Sequence, residues 1–221
     1  MNGVLLETER LTLRRLTDAD FDQLTELDSD PEVTRFITGG IPEFDAAMLT
    51  TWMSQYERWP AYGTFAAIEK PSGRFIGWFH LRPEDGHDDE PELGYRLNRA
   101  AWGKGYATEG SRALIDKAFT DLGATRVWGG ALAIHVASRR VMEKSGLRYI
   151  RTFHGDWPFT IPGDEHGDVE YAITRAEWEE DRLERRSAGS VVPEADAPEG
   201  EVEGDVVDHL EAAGDEERQA R

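Results

Sequence analysis

The stretch Asn98-Arg99-Ala100-Ala101-Trp102-Gly103-Lys104-Gly105-Tyr106-Ala107-Thr108-Glu109-Gly110 decides the fold of this chain. It lies between a strand-like segment ending near Leu97 and a helical segment starting near Ala107. Gly103 and Gly105 permit backbone conformations closed to other residues and let a ligand approach closely. The first turn of the following helix leaves amide N–H groups unpaired and carries a partial positive charge. Together these features describe an anion cradle suited to phosphate. The glycines alone are equally compatible with a plain strand-to-helix turn. Two nucleotide motifs are excluded. A P-loop needs Gly-x-x-x-x-Gly-Lys-Ser/Thr, which Gly103-Lys104-Gly105-Tyr106 does not supply. A Rossmann fingerprint needs three glycines after the first strand of a parallel unit, and Thr108 stands where the third would be.

Upstream of the turn the pattern is strand, helices, three strands. Leu11, Leu13 and Leu16 predict an opening strand. Thr17-Asp18-Ala19-Asp20 resembles a capping box before Phe21, Leu24 and Leu27, which are spaced for a helix. Asp30-Pro31 starts a short helix, with Pro at the first helical position. Met48, Trp52 and Tyr56 recur at i, i+4 and i+8, predicting a helix over 45–59. Residues 64–69 and 75–81 read as strands joined by the turn Pro71-Ser72-Gly73. A polar loop over 83–89 leads to a third strand, 92–97. Downstream come a helix over 107–122, a strand over 125–132, a helix over 136–144 ended by Gly146, a strand over 147–153, a strand over 168–174 and a helix over 176–185. The expected fold class is α/β (α+β): one domain over 1–186, its mixed, mostly antiparallel sheet flanked by helices, with no internal repeat.

Composition narrows the chemistry. The 221 residues contain no Cys, which excludes a disulfide scaffold, thiolate metal sites and a cysteine nucleophile. Seven Trp, six Tyr and nine Phe supply a large core. No apolar run reaches the length of about 18 residues that a membrane helix needs. The first 15 residues lack the apolar stretch of a secretory signal, so a cytoplasmic location is expected. The net charge is -19, which argues against nucleic acid or an anionic membrane as partner. Residues 187–221 hold 11 acidic and 2 basic residues, and no aromatic. Such a segment buries too little apolar surface to offset its ordering entropy, so a disordered acidic tail is expected there. The six His residues show no metal-ligand spacing, and no metal is expected.

The turn resembles motif A of the Gcn5-related N-acetyltransferases, Arg/Gln-x-x-Gly-x-Gly/Ala. Gly105 and Ala107 match its small positions, and Trp102 replaces the leading Arg/Gln. That replacement is typical of the RimJ/RimL-like branch, whose sequences read Trp-Gly-x-Gly-Tyr-Ala-Thr-Glu. Glu92-Leu93-Gly94-Tyr95 is similar to the branch's Glu-x-Gly-Tyr strand. Ser138 to Gly146 is similar to its motif B, Leu6 to Arg14 to its N-terminal strand, and Tyr171 to Trp178 to its closing strand and helix. The resemblance covers residues 6–185 in order. One departure stands out: His135 occupies the place of the motif-B Asn, which in the family contacts the pantetheine arm. Imidazole still offers one hydrogen bond there, but it is larger and titratable. An altered cofactor contact is the favoured reading of His135, and recruitment to proton transfer is the other.

The resemblance implies an acetyl-CoA-dependent N-acetyltransferase, with acetyl-CoA as co-substrate in a cleft between the strands over 92–97 and 125–132. Backbone groups of Tyr95, Arg96 and Leu97 would pair with pantetheine. The amides of Trp102, Gly103, Lys104, Gly105, Tyr106, Ala107 and Thr108 would hold the pyrophosphate. His135 and Ser138 would meet the cofactor from the second helix. The reaction needs a neutral amine, a stabilised carbonyl oxygen and a managed leaving thiolate. Glu92 is the candidate base, directly or through water; a purely structural or orienting carboxylate is the competing reading. Ser138 sits at the motif position assigned to the leaving sulfur, with a local helix-start bond as its alternative. Tyr95 reads as packing rather than acid. Alternation puts Glu92 and Gly94 on one strand face, and Leu93 and Tyr95 on the other.

The implied acceptor is a primary amine, either a protein N-terminus or a small amine. Candidates for its pocket are Phe36, Trp52, Trp78, Trp157 and Phe159, with the acids Glu43, Asp156 and Asp168. A non-catalytic acetyl-CoA-binding module with a partner-recruiting acidic tail is the alternative function. A monomer or homodimer is expected.

Overall fold

Leu11 and Leu13 alternate with Thr12 and Arg14, and both leucines are fully buried, the period of two that a half-covered strand requires. The same logic repeats along the chain in a computed structural model that describes residues 3–84, 86–155 and 160–189. In order, the elements are β1 (Val4–Glu7), β2 (Leu11–Arg15), α1 (Phe21–Ser29), α2 (Pro31–Thr34), α3 (Ala46–Arg58), β3 (Gly63–Glu69), β4 (Phe75–Glu84) and β5 (His87–Leu97). They continue with α4 (Tyr106–Asp121), β6 (Arg126–Leu132), α5 (Val136–Lys144), β7 (Arg148–Phe153), β8 (Asp168–Thr174) and α6 (Arg175–Gly189). The strands form one sheet in the order β1-β2-β3-β4-β5-β6-β8-β7. Its neighbours pair antiparallel except β5 and β6, which are parallel because α4 crosses over between them. No helix of the described residues is long and apolar enough to cross a membrane.

The core has two parts, one on each face of the sheet. Leu114, Ile115, Ala118 and Phe119 line one side of α4 and pack with Phe79, Leu93, Val127 and Trp178. Fully burying side chains such as Phe79 and Phe119 contributes about 1.5–3 kcal/mol each. A smaller cluster, with Leu24, Leu27 and Leu49 from α1 and α3, covers Ala66, Phe75 and Trp78 on the other face. Local signals behave as their chemistry dictates. The Thr17 amide donates to the Asp20 carboxylate at 2.8 Å, and the Asp30 carboxylate caps α2 by accepting from the Glu32 amide at 3.0 Å.

Three differences from the sequence reading are physical. The polar stretch over 83–89, expected as a loop, is mostly strand: β4 reaches Glu84, β5 begins at His87, and these two residues pair. The part of β5 from His87 to Asp89 is exposed, so its polar side chains carry no burial alternation. The opening strand has an added neighbour, β1, at the edge of the sheet, where Val4 and Glu7 are exposed. The last helix runs four residues beyond its expected end at 185, with the Ser187 hydroxyl donating to the Leu183 carbonyl at 3.0 Å. The expected acidic tail lies, from residue 190 on, outside the described residues.

Candidate active site

β5 and β6 pair at one position, Glu92 with Trp128, and beyond it no further pair joins them among the described residues. The strands therefore open toward their C-terminal ends. A helix starts just past each end, α4 at Tyr106 and α5 at Val136. The Asn98 amide donates to the Ile76 carbonyl on β4 at 2.9 Å. Alternation along an antiparallel pair then turns the backbone groups of Tyr95 and Leu97 toward the opening. The Leu97 carbonyl accepts there from the Trp102 indole at 2.7 Å, although the Trp102 side chain is 48% exposed. The Arg96 side chain leaves by the opposite face, to the Asp28 carboxylate at 2.5 Å.

The turn before α4 has the geometry of a cradle. Gly103 and Gly105 take φ values of +71° and +83°, the left-handed region that other residues enter only with strain. Gly105 is the N-cap of α4, and no side chain caps the helix. The amides of the first turn, Tyr106, Ala107 and Thr108, are thus free of the usual cap. The Lys104 side chain is exposed, while its carbonyl accepts from Arg10 Nη1 at 2.9 Å. The Tyr106 side chain turns inward and donates its hydroxyl to Glu69 Oε1 at 2.5 Å, so only its backbone serves the cradle.

Arg10 braces this turn and had no functional reading in the sequence. Besides Lys104 it reaches Glu109, with Nε 2.6 Å from Oε2 and its amide 2.9 Å from Oε1; the Thr8 hydroxyl adds a third bond at 2.5 Å. Burial works against the Glu109 charge, but these bonds outweigh it and hold the carboxyl below its ordinary range. No local spacing reports a contact between residues 94 positions apart.

On the α5 side the structure brings Tyr95 and Ser138 together. The phenol lies 3.0 Å from the Ser138 carbonyl and 3.1 Å from its hydroxyl. His135 is the N-cap of α5 and stacks on Phe36, with ring centroids 4.4 Å apart. Burial pushes the imidazole down to about 4, so it is neutral at pH 7. Its Nδ1 is buried without a hydrogen-bond partner among the described residues.

Glu92 lies on the other face of β5. The β4–β5 register pairs Arg82 with Glu92, His80 with Gly94 and Trp78 with Arg96. Arg82 Nη2 is 3.0 Å from Glu92 Oε2, and His80 Nε2 is 3.5 Å from the same oxygen. No hydrogen bond joins Glu92 to Ser138 among the described residues. The sequence reading also passed over His80. Its signal is the period-two run Trp78, His80, Arg82, which faces Glu92, Gly94 and Arg96 once the hairpin register is known.

Glu92 lines a groove of about 730 Å³ that runs over β6, β8 and β7, with Phe36, Trp128, Phe153, Asp168 and Glu170 in its walls. Glu170 is buried between Arg126 and Arg151, with its Oε2 2.7 Å from Arg151 Nε. Burial opposes its charge, yet the two guanidiniums hold its carboxyl below the ordinary range. Of the acceptor-pocket candidates, Phe36 and Asp168 reach this groove. Trp52 and Trp78 pack edge to face at 5.6 Å in the smaller core cluster. Glu43 is exposed and donates its amide to Asp28 at 2.6 Å. Asp156, Trp157 and Phe159 lie outside the described residues.

A cleft between diverging parallel strands, with an uncapped helix start at its mouth, matches a known family. The model described as "Acetyltransferase (GNAT) domain" matches residues 10–148. The chain belongs to the GNAT acetyltransferase family. A relative from Aspergillus fumigatus, named FsC-acetyl coenzyme A-N(2)-transacetylase, is 37% identical over 183 residues, covering 78% of this chain and 77% of its own. Among solved structures, a GNAT-family acetyltransferase from Bacillus anthracis superposes with a TM-score of 0.63 at 24% identity, covering 77% of this chain and 98% of that one. Spermidine N-acetyltransferase from Vibrio cholerae, solved with CoA and spermine, gives a TM-score of 0.65 at 17% identity, covering 78% and 99%. This GNAT protein is an acetyl-CoA-dependent N-acetyltransferase with acetyl-CoA as co-substrate, which sets aside the non-catalytic module.

Proposed function

We propose that this acetyltransferase acetylates a primary amine, a small molecule in preference to a protein N-terminus, in the manner of the RimJ/RimL-like branch and in the cytoplasm. The observation that carries the reading is the state of Glu92. Its Oε2 is held by Arg82, its Oε1 has no hydrogen bond among the described residues, and the side chain stands at the one pair joining β5 to β6. The 730 Å³ groove is lined by this carboxylate, on the strand position where β5 and β6 pair before they part. The name of the Aspergillus relative gives an N(2) acceptor, which supports an amine of α type. An α-amine, with a pKa of about 7.7–8.0, costs about 1 kcal/mol to deprotonate at neutral pH; a Lys-type amine costs about 4–5.

In this reading the amine's proton passes to Glu92 Oε1, directly or through a water. The N–C bond forms at the acetyl carbonyl as the C–S bond breaks. The sulfur leaves as a thiolate beside Ser138. The amides of Tyr95 and Leu97 and the backbone from Trp102 to Thr108 supply donors to the cofactor; Arg96, expected among them, turns its backbone groups to β4 and its side chain to Asp28, and so contributes neither. His135, in place of an Asn, packs its neutral ring on Phe36.

Glu92→Gln tests the reading. With thiol release followed over a panel of primary amines, kcat should fall roughly 10²- to 10⁴-fold, the range that a general base supplies. The KM for acetyl-CoA should not change. Wild-type kcat on every amine that turns over removes Glu92 as base.

A further inference from the structure

We propose that His80 is a positioning residue for Glu92: seated on Gly94 and stacked on Trp78, it presents Nε2 to the carboxylate oxygen that Arg82 holds, leaving the other oxygen for the amine. This rests on the reading of Glu92 as base.

The first observation is the space above Gly94. A Cβ on residue 94 would come within 2.3 Å of His80 Nε2 and 2.5 Å of Cε1. No side chain other than hydrogen fits under that ring, so the Glu92-x-Gly94 spacing belongs to the imidazole. The second is the stack. Trp78 lies 5.5 Å from His80, centroid to centroid, with the planes 21° apart, and fixes the ring's orientation. The third is the nitrogen itself. His80 is buried, and its Nε2 has no hydrogen-bond partner among the described residues. Such an orphaned polar group costs about 1–3 kcal/mol. Its contact with Glu92 Oε2 at 3.5 Å is just beyond hydrogen-bond length, and bonds of this kind tighten when the reacting complex forms.

The surroundings decide the form of the imidazole. Arg82 on β4 and Arg96 on β5 flank it, Glu92 faces it, and Asp28 of α1 pairs with Arg96. Burial, then Arg82 and Arg96, push the imidazole well below its ordinary range. It is therefore neutral at working pH. Facing a carboxylate, the neutral ring carries its proton on Nε2 and donates. Arg82 and His80 then address one oxygen from two directions, and rotation of the carboxylate is blocked.

Two measurements on the full-length chain test this. In the first, the Glu92 carboxyl is titrated by carbon-13 NMR, its signal assigned with Glu92→Gln. His80→Phe keeps the ring and the Trp78 stack but removes the donor, so the midpoint should rise by about half a pH unit or more. His80→Gln keeps a donor and should stay nearer wild type. Gly94→Ala, which displaces the imidazole, should follow His80→Phe. In the second, kcat is measured by thiol release with spermidine and with glycinamide. His80→Phe should lose about tenfold, less than loss of the base itself, with the KM for acetyl-CoA unchanged and His80→Gln partly rescuing. A purely structural ring predicts the reverse order, Phe milder than Gln. That order, or a Glu92 midpoint that His80→Phe does not move, overturns the proposal. Wild-type kcat in Glu92→Gln would instead overturn the base reading, and the NMR result would still decide the His80 contact.

Discussion

Tyr95 on β5 donates its hydroxyl to the Ser138 carbonyl on α5 at 3.0 Å, and the two hydroxyl oxygens are 3.1 Å apart. The pair straps the start of one helix to the strand that edges the cleft. Burial pushes the phenol up to about 12, with the Ser138 bond pulling the other way, so it stays protonated at every working pH. Tyr95→Phe removes this donor alone. Stability in urea should fall by about 1 kcal/mol, the net worth of one such bond. The KM for acetyl-CoA should rise, while the pH profile of kcat between 6 and 9 keeps its shape. Unchanged stability together with an unchanged KM shows that the strap does nothing.

Gly105 carries the second prediction. Valine there must adopt a φ near +83°, at a cost of about 1–2 kcal/mol, and its Cβ would lie 3.4 Å from Arg10 Nη2. The flexible end of Arg10 can move, so the domain should still fold. The uncapped amides of α4 should lose their arrangement, and with it the pyrophosphate. Circular dichroism should match wild type while calorimetric titration with acetyl-CoA shows no binding. A folded Gly105→Val that titrates normally refutes the cradle.

The left-handed glycines and the uncapped helix start of this turn are legible in the sequence because they are local: two glycines and a helix start within one turn of chain. The alternation of Leu93 and Tyr95 against Glu92 and Gly94 was legible for the same reason, since a strand repeats every two residues. Arg10 and His80 were not. Each acts through a contact set by sheet register or by chain return, 94 residues away for Arg10 and Lys104 and 14 positions apart for His80 and Gly94. Period-two spacing sets His80 on the face of Trp78 and Arg82, but only the hairpin register shows that Gly94 makes room for it. The 83–89 hairpin was missed for the opposite reason, since its first residues of β5 are exposed and carry no burial signal.

His135 separates stability from catalysis. Its folded-state value of about 4 lies below the ordinary His value of 6.5, and burial is the cause. Between those values the unfolded chain binds more protons than the folded one, so stability rises with pH. The contribution is fully present above about pH 6.5 and is lost as pH falls toward 4. Asn does not titrate, so His135→Asn should flatten this part of the profile. Urea unfolding at pH 7.5 and pH 4.5 should show wild type losing about 1–2 kcal/mol more than the variant, allowing for the partial exposure of the ring. His80 titrates in the same direction but is present in both proteins and cancels. Catalysis should behave differently. With Glu92 as the proton acceptor, kcat of His135→Asn should follow the wild-type pH profile from 6.5 to 9. A displaced acid limb in that variant would transfer the role of proton acceptor from Glu92 to His135.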